Sequence, residues 1–198
     1  MNNRKVYISG EIVPEVDAKI SIFDSAVLLG DTVTESTRTF NFKPFKLDEH
    51  LERLYKSFKL TRIDPQMTIE EMKKVSLELL EINKDNYKAN EDCWLVHNIS
   101  RGHSITGGNP ALQVSKPTVM IYTQPMNLVS WAPFYTKGCH AVTPPTRMVP
   151  SQSLDARIKN RSRLFYTLAE IEAKLVDPDA QSVILDIHGN VAENKGGN

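Results

Sequence analysis

The chain has 198 residues, which is enough for one large hydrophobic core or two small ones. Lys and Arg together number 24, as do Asp and Glu, so the formal net charge is zero. This balance argues against a basic surface for nucleic acid or anionic membranes, and a small-molecule site is the better expectation. The two cysteines lack metal-site spacing, and no apolar run reaches the roughly 20 residues of a membrane span. We therefore expect a reduced, cytoplasmic protein with no metal, membrane or nucleic-acid partner.

The chain opens with two short strand-like runs, at 5–9 and 18–23, which are broken by Gly10 and a turn at Pro14. They predict a β-hairpin or meander. A repeat of apolar residues at helical spacing then predicts a helix over 47–62, with Asp48 as its N-cap.

A second helix is predicted by the capping box that Thr68 and Glu71 form, followed by an apolar stripe that continues to Ile82. Strand patterns return over 93–100 and 118–123. Together these elements predict an N-terminal domain of helices and strands.

The stretch 125–135 has the composition of an interdomain linker, and we place a domain boundary there. The predicted domains are therefore 1–124 and 136–198, which gives an α+β protein of two α/β domains. The elements predicted beyond the linker are a strand near 139–143, a helix over about 162–176 and a hairpin turning at His188-Gly189-Asn190.

Two pairs of segments carry more specific information. The run 30–38 (GDTVTESTR), with 44–54 after it, resembles the N-terminal signature of branched-chain and D-amino-acid aminotransferases. The runs 155–160 and 192–198 resemble the cofactor-lysine and glutamate segments of the same family, in the same order and spacing. The resemblance implies a pyridoxal-phosphate-dependent aminotransferase of fold type IV. It also implies a homodimer, with the cofactor in the cleft between two domains.

Lys159 matches the lysine that bonds to the cofactor aldehyde and moves the substrate proton as general base and acid. Because an unperturbed lysine is protonated at neutral pH, we expect burial or a neighbouring cation to lower its pKa, with Arg157 and Arg161 as candidates. Glu193 matches the carboxylate that holds the pyridine nitrogen. Without the family, a solvated surface position is the more frequent fate of such a lysine or glutamate.

Arg53 matches the arginine that binds the cofactor phosphate, for which a guanidinium is well suited. The alternative is an exposed ion pair with Glu49, one helical turn earlier. His50 is on the same face and is a candidate supporting residue, although a histidine bonded to a backbone carbonyl is equally plausible. Gly196 and Asn198 match positions of the cofactor pocket by register, with ordinary turn residues as the alternative.

The candidate substrate-binding residues give conflicting signals. Thr34 stands where many members have Phe or Tyr, which predicts a roomier or more polar pocket. Arg38 matches an arginine of branched-chain members, and Arg101 is a second candidate for a substrate carboxylate, with surface ion pairing as the alternative for both. The segment 100–109 lacks the Arg-Asn-His triplet of D-alanine-type enzymes. Leu164 stands where branched-chain enzymes have a tyrosine and D-amino-acid members have leucine.

In the resembling families, the C-terminal third of the protein follows the position of Asn198. We therefore expect this sequence to be a fragment with an incomplete second domain. The expected reaction transfers an amino group to a 2-oxo acid. The expected donor is a branched-chain-like amino acid or an amine. The alternatives are an aminodeoxychorismate-lyase-like enzyme, an R-selective amine transaminase and a non-catalytic truncated module.

Overall fold

The structure is a computed structural model that describes residues 3–88, 91–104, 115–126, 128–194 and 196. The chain forms two compact units. The first combines Met1–Met126 with Ile158–Ser162, and the second combines Asn127–Arg157 with Arg163–Asn198. The short segment that contains Lys159 thus belongs to the first unit. The domain limits inferred for the whole protein stay a prediction.

The first unit is built on a six-stranded antiparallel sheet with the order β2-β1-β6-β5-β3-β4. Its strands are β1 Lys5–Ile8, β2 Glu11–Pro14, β3 Thr32–Phe40, β4 Lys43–Pro44, β5 Cys93–Ser100 and β6 Thr118–Pro125. The predicted strands over 5–9, 93–100 and 118–123 are confirmed within two residues at each end. β3 and β5 pair along most of their lengths, from Thr32 opposite Ser100 to Arg38 opposite Trp94.

Helices of the first unit are α1 Ser25–Leu29, α2 Leu47–Thr61 and α3 Ile69–Asn83, with 3-10 turns at Glu15–Asp17 and Lys84–Asn86. α2 and α3 pack their apolar faces on the sheet, where the helices and strands share one core. Fully buried members of this core include Leu51, Leu54, Met72, Leu79, Leu95, Ile99 and Ile121. Burying side chains of this size contributes about 1.5–3 kcal/mol each before the cost of ordering the chain.

The predicted capping box is confirmed. Thr68 Oγ1 accepts a hydrogen bond from the Glu71 amide at 3.2 Å, and Glu71 Oε2 accepts one from the Thr68 amide at 2.7 Å. The prediction that Asp48 caps α2 is wrong. Lys46, in the left-handed region at φ 53°, precedes the helix, so Asp48 lies inside the first turn and pairs with Lys73 Nζ at 2.6 Å.

The predicted strand over 18–23 is also wrong. The partner of β1 is β2, which follows directly after Ser9 and Gly10 at φ 46° and 110°. Two consecutive residues at positive φ form the tight turn whose twist suits a hairpin, so the chain reverses earlier than the apolar pattern suggested. The apolar side chains of 18–23 do not face the core, and Ile22 is 70% exposed.

The second unit contains a small sheet with the order β7-β8-β9 and three helices. These elements are β7 Ala141–Val142, β8 Gln181–Leu185, β9 Val191–Asn194, α4 Leu128–Trp131, α5 Phe134–Lys137 and α6 Leu164–Val176. The predicted linker 125–135 therefore includes α4 and the start of α5, and the predicted strand at 139–143 is reduced to two residues. α6 begins two residues later than expected. Its buried Tyr166 and Ala169 pack with Ile184 of β8.

The predicted hairpin of the second unit is confirmed. β8 and β9 are antiparallel, and Asp186 Oδ1 accepts hydrogen bonds from the amides of His188 and Asn190 at 2.8 Å each. Gly189 has φ 90°, a conformation that costs glycine little. The carboxylate thus fixes the turn that sets the register of β9.

Among the residues that the structure describes, no helix is long and apolar enough to cross a membrane. The same residues include no group of three or more His, Cys, Asp or Glu side chains that could hold a metal ion.

Candidate functional site

The backbone of Lys159 is fixed against β3. The Thr34 amide donates to the Lys159 carbonyl at 2.8 Å, and the Arg161 amide donates to the Thr32 carbonyl at 2.9 Å. These bonds flank an antiparallel bridge between Val33 and Asn160. A segment more than 120 positions later in the sequence is therefore joined to the edge of β3 by an isolated β-bridge.

The same segment is held from α2 as well. The Lys159 amide donates to Ser57 Oγ at 3.3 Å, and Ile158 packs against the core of the first unit. Ser57 is fully buried and lies four residues after Arg53, so both are on one face of the helix. Ser57, which contacts Lys159, and Arg53, the candidate phosphate ligand, are therefore one helical turn apart, about 6 Å along the helix axis.

Side chains after Lys159 complete this attachment. Arg161 Nε donates to Asn98 Oδ1 at 2.9 Å, and Ser162 Oγ donates to the Gly30 carbonyl at 2.8 Å. Gly30 has φ 66°, and a Cβ there would lie 2.9 Å from Ser162 Oγ. Any other residue at position 30 would be strained and would press on this segment.

Arg53 makes a two-pronged ion pair with Glu35 of β3. Nε lies 2.7 Å from Oε2 and Nη2 lies 2.7 Å from Oε1. The expected alternative partner, Glu49, is not used, and pairs with Lys46 at 3.4 Å instead. Arg53 Nη1 has no hydrogen bond to a described residue, and the side chain is 51% exposed, so the guanidinium can still bind an anion.

Glu35 lies within the run 30–38, but the sequence did not identify it as a site residue. Its side chain is fully buried. Burial raises the pKa of the carboxyl, but hydrogen bonds from His50 and Arg53 outweigh it and hold the pKa at about 2. His50 Nδ1 lies 3.0 Å from Glu35 Oε1, which gives this histidine a supporting contact with the carboxylate. Glu35 is the one acidic residue of β3, and this isolated charge in a strand was the sequence feature that could have identified it.

His97 of β5 lies opposite Glu35 in the sheet and is fully buried. Its Nε2 is 2.8 Å from Ser76 Oγ of α3. Burial lowers the pKa of this imidazole to about 4, so it is neutral at neutral pH. The sequence patterns did not single out this residue.

The three candidate substrate residues are all in the first unit, and each has protein partners. Thr34 is buried, and its Oγ1 donates to the His97 carbonyl at 3.0 Å. The Arg38 guanidinium carbon lies 3.9 Å from the centre of the Phe40 ring.

Arg101 is engaged with Asp31, with Nε 3.0 Å from Oδ2, and with the carbonyls of Thr61 and Arg62. A substrate contact by this guanidinium would compete with these bonds. The geometry favours the ion-pair alternative for Arg101 and leaves the substrate roles as predictions.

Glu193, in the second unit, accepts a hydrogen bond from the Tyr166 hydroxyl through Oε2. Its Oε1 has no hydrogen bond to a described residue. Gly196 has its amide bonded to Asn194 Oδ1 at 2.9 Å, which is ordinary turn chemistry. Asn198 lies outside the described residues.

Each unit contributes groups that suit pyridoxal 5′-phosphate. A lysine supplies an amine, a half-exposed guanidinium suits the phosphate, and a carboxylate with one available oxygen suits a protonated ring nitrogen. Among the described residues, the neighbouring cations considered for Lys159 are engaged elsewhere. Arg157 pairs with Asp155 at 2.6 Å, and Arg161 contacts Asn98.

Comparisons with known proteins identify the family. The family model of amino-transferase class IV matches residues 32–198. A putative branched-chain-amino-acid aminotransferase of Methanocaldococcus jannaschii is 35% identical over 194 residues, covering 98% of this chain and 64% of that protein. Aminodeoxychorismate lyase of Bacillus subtilis is 31% identical over 188 residues, covering 95% of this chain and 61% of that protein.

A solved structure shares the fold. The branched-chain amino acid aminotransferase of T.th., complexed with N-(5′-phosphopyridoxyl)-L-glutamate, aligns with a TM-score of 0.82 at 24% identity. The alignment covers 99% of this chain and 63% of that one. The predicted α+β class and fold type IV architecture are therefore confirmed.

The chain belongs to the class IV aminotransferases, whose cofactor is pyridoxal 5′-phosphate. It spans slightly less than two thirds of the length of the relatives described above. Those relatives include a transaminase and a lyase, so family membership alone does not select the substrate.

Proposed function

We propose that the whole protein is a pyridoxal-phosphate-dependent aminotransferase that moves an amino group from an amino acid or amine to a 2-oxo acid. The observation that carries the proposal is the attachment of the Lys159 segment to β3 and to Ser57, one helical turn from Arg53. In this arrangement, one rigid helix supports both a candidate amine and a candidate phosphate ligand.

The bound cofactor supplies a ring that withdraws electrons and makes the α-proton of the amino donor removable. Lys159 would hold the cofactor through its aldehyde, and its amine, once displaced by the amino donor, would move the α-proton as general base and acid. Arg53 binds the phosphate, and Glu35 orients Arg53. Glu193 would hold the pyridine nitrogen in its protonated form.

For the amino donor, we propose a branched-chain-like amino acid, with the M. jannaschii relative as support. Thr34 is small, and its hydroxyl is occupied by the His97 carbonyl, so this position presents no ring to the substrate. Arg38 is the preferred candidate for a carboxylate contact because Arg101 is committed to Asp31.

A lyase reaction is the second candidate, and the B. subtilis relative specifically favours it. An enzyme of that kind would use the same lysine without needing a 2-oxo acid acceptor. Turnover that depends on an added 2-oxo acid therefore separates the two reactions.

We propose that the protein acts as a cytoplasmic homodimer. A group of exposed apolar side chains around α1 supports self-association, because monomeric proteins rarely expose such clusters. Its members are Ile20, Ile22, Phe23, Val27, Leu28 and Leu29. Free Cys93 and Cys139 are consistent with a reducing compartment.

The test is a panel of amino donors offered to the whole protein with pyruvate or 2-oxoglutarate as acceptor. We expect transfer from branched-chain amino acids, and 1-phenylethylamine enantiomers test the amine alternative. Pyruvate released from aminodeoxychorismate without any acceptor would replace the transaminase assignment with the lyase. Protein that takes up no cofactor would support the non-catalytic alternative.

A further inference from the structure

Tyr166 is the residue that contacts Glu193 in the second unit. It is the third residue of α6, is only 5% exposed, and donates its hydroxyl proton to Glu193 Oε2. The ring packs in the core with Ala169 and Ile184, so the phenol has little freedom to move. A rigid donor therefore contacts a carboxylate that is carried on a four-residue strand.

We propose that Tyr166 is a positioning residue that holds the Glu193 carboxylate in the orientation it needs to meet the pyridine nitrogen of the cofactor. The inference rests on the proposed function and deepens it. Tyr166 occupies one carboxylate oxygen, which leaves Oε1 for the ring nitrogen. Tyr166 itself touches neither the cofactor nor the substrate in this role.

Electrostatics agree with the direction of this hydrogen bond. Burial and the bond to Glu193 both raise the pKa of the Tyr166 phenol, so its proton stays on the phenolic oxygen. The phenol is thus a donor throughout the neutral range, and the carboxylate remains the acceptor. A hydrogen bond to a charged acceptor is stronger than one between neutral groups, which suits an orienting contact.

The position of this phenol on α6 is also informative. Leu164 stands where the branched-chain enzymes that the sequence resembles have a tyrosine, and its side chain is 72% exposed. Two residues correspond to about 200° around a helix, so Tyr166 lies on nearly the opposite side. The Tyr166 phenol is therefore directed at Glu193 and cannot take the place of the tyrosine that branched-chain enzymes have at the position of Leu164.

The first test compares Tyr166→Phe with the whole wild-type protein. This variant keeps the buried ring and removes only the hydroxyl. We expect the cofactor dissociation constant, measured by equilibrium titration of the apoprotein, to rise about threefold to tenfold. Conversion of the cofactor to its amino form by a saturating donor should slow about tenfold, with the donor's dissociation constant unchanged.

Tyr55→Phe is the matched control because its hydroxyl donates to the Met67 carbonyl at 2.8 Å, within the first unit. It removes a hydrogen bond of similar burial from a place remote in sequence from Glu193. Tyr55→Phe should leave the cofactor dissociation constant and the rate of cofactor conversion unchanged. Equal effects from the two variants would show only a general loss of stability and would overturn the proposal.

The second test places Tyr166→Phe in a Glu193→Ala background. If Tyr166 acts through the carboxylate, its removal should change the cofactor dissociation constant by less than twofold there. The proposal is overturned if Tyr166→Phe raises the cofactor dissociation constant as much in the Glu193→Ala background as in the wild-type background. It is also overturned if the substitution has no effect in the wild-type background. Either result would leave the assignment of Lys159 as the residue that holds the cofactor intact. Absence of cofactor from wild-type protein would instead refute the proposed function, and this inference with it.

Discussion

The buried carboxylate of Glu35 and the guanidinium of Arg53 form two parallel hydrogen bonds of 2.7 Å each. β3 contributes the carboxylate and α2 contributes the guanidinium, so the bonds join the sheet to the helix. The fork geometry orients the guanidinium, while its half-exposed surface and Nη1 remain available for an anion.

Replacing Arg53 with Ala should weaken cofactor binding by about 2–3 kcal/mol, because a charge-assisted contact to phosphate is lost. Equilibrium titration of the apoprotein measures the change. Lys56→Ala is the matched control, since Lys56 is on the same helix and its side chain is 74% exposed. An Arg53→Ala affinity equal to that of the control would exclude Arg53 as the phosphate ligand.

Glu35→Gln should lower the free energy of unfolding at pH 7 by about 2–3 kcal/mol. The folded-state pKa of about 2 lies below the ordinary value of 4.5, so the carboxylate contributes stability that is present above pH 4.5. This contribution is lost as the pH falls from about 4.5 to about 2. Denaturant unfolding of both proteins across this range should show the difference shrinking as the pH falls.

Glu15→Gln is the control for that measurement. Glu15 accepts two hydrogen bonds from Arg4, at 2.9 Å each, with a geometry similar to that of Glu35 but on the surface. Surface pairs contribute about 0–1 kcal/mol. Equal losses in the two variants would contradict the view that burial makes the Glu35 pair important.

His97 should make the fold sensitive to mild acid. Burial lowers the pKa of its imidazole to about 4, below the ordinary 6.5, so the unfolded chain takes up a proton first. The free energy of unfolding should therefore decrease as the pH is lowered from 6.5 to 4, by at most about 3 kcal/mol. His97→Leu should flatten this slope, whereas His188→Gln, which alters an exposed turn residue, should not. An unchanged slope in His97→Leu would assign the acid sensitivity to other groups.

Glu193→Gln tests an electronic role separately from cofactor retention. The amide keeps the shape of the side chain but removes its charge, so the cofactor should still bind. A loss of two pKa units at the ring nitrogen corresponds to roughly 2.7 kcal/mol, or about a hundredfold slower conversion of the cofactor to its amino form. Stopped-flow absorbance follows this conversion after mixing with an amino donor.

Glu172→Gln provides a comparison within the same unit. Its carboxylate bonds to the Thr146 amide at 2.9 Å and to the Thr146 hydroxyl at 2.8 Å, a structural role. It should convert the cofactor at the wild-type rate. Wild-type speed in Glu193→Gln, with cofactor fully bound, would remove Glu193 from the mechanism.

Elements with strong local signals could be predicted from the sequence. The capping box of Thr68 and Glu71 is specified within four residues, and the turn at Gly189 is specified within five. The strand predicted at 18–23 failed because a tight turn at Ser9 and Gly10 reversed the chain earlier. Asp48 failed as a cap because the backbone conformation of Lys46 decides where α2 begins.

The partners of the candidate site could not be predicted in the same way. Glu35 and Arg53 are 18 residues apart, and Tyr166 and Glu193 are 27 apart, so each pair depends on how a helix packs against a strand. For Arg53, the local rule favoured Glu49, but the helix face that carries Arg53 is turned toward β3. The family motifs identified the residue types, whereas tertiary packing determined their contacts.

The most direct test of the account is covalent trapping of the cofactor on the whole protein. Purified protein supplied with pyridoxal 5′-phosphate should be yellow, and borohydride should fix the cofactor to one lysine. Peptide mapping should place it on Lys159, and Lys159→Ala should abolish the fixation while Lys174→Ala, at a lysine bonded to the Pro178 carbonyl, does not. Fixation at another lysine, or undiminished fixation in Lys159→Ala, would contradict the assignment of Lys159 as the residue that holds the cofactor.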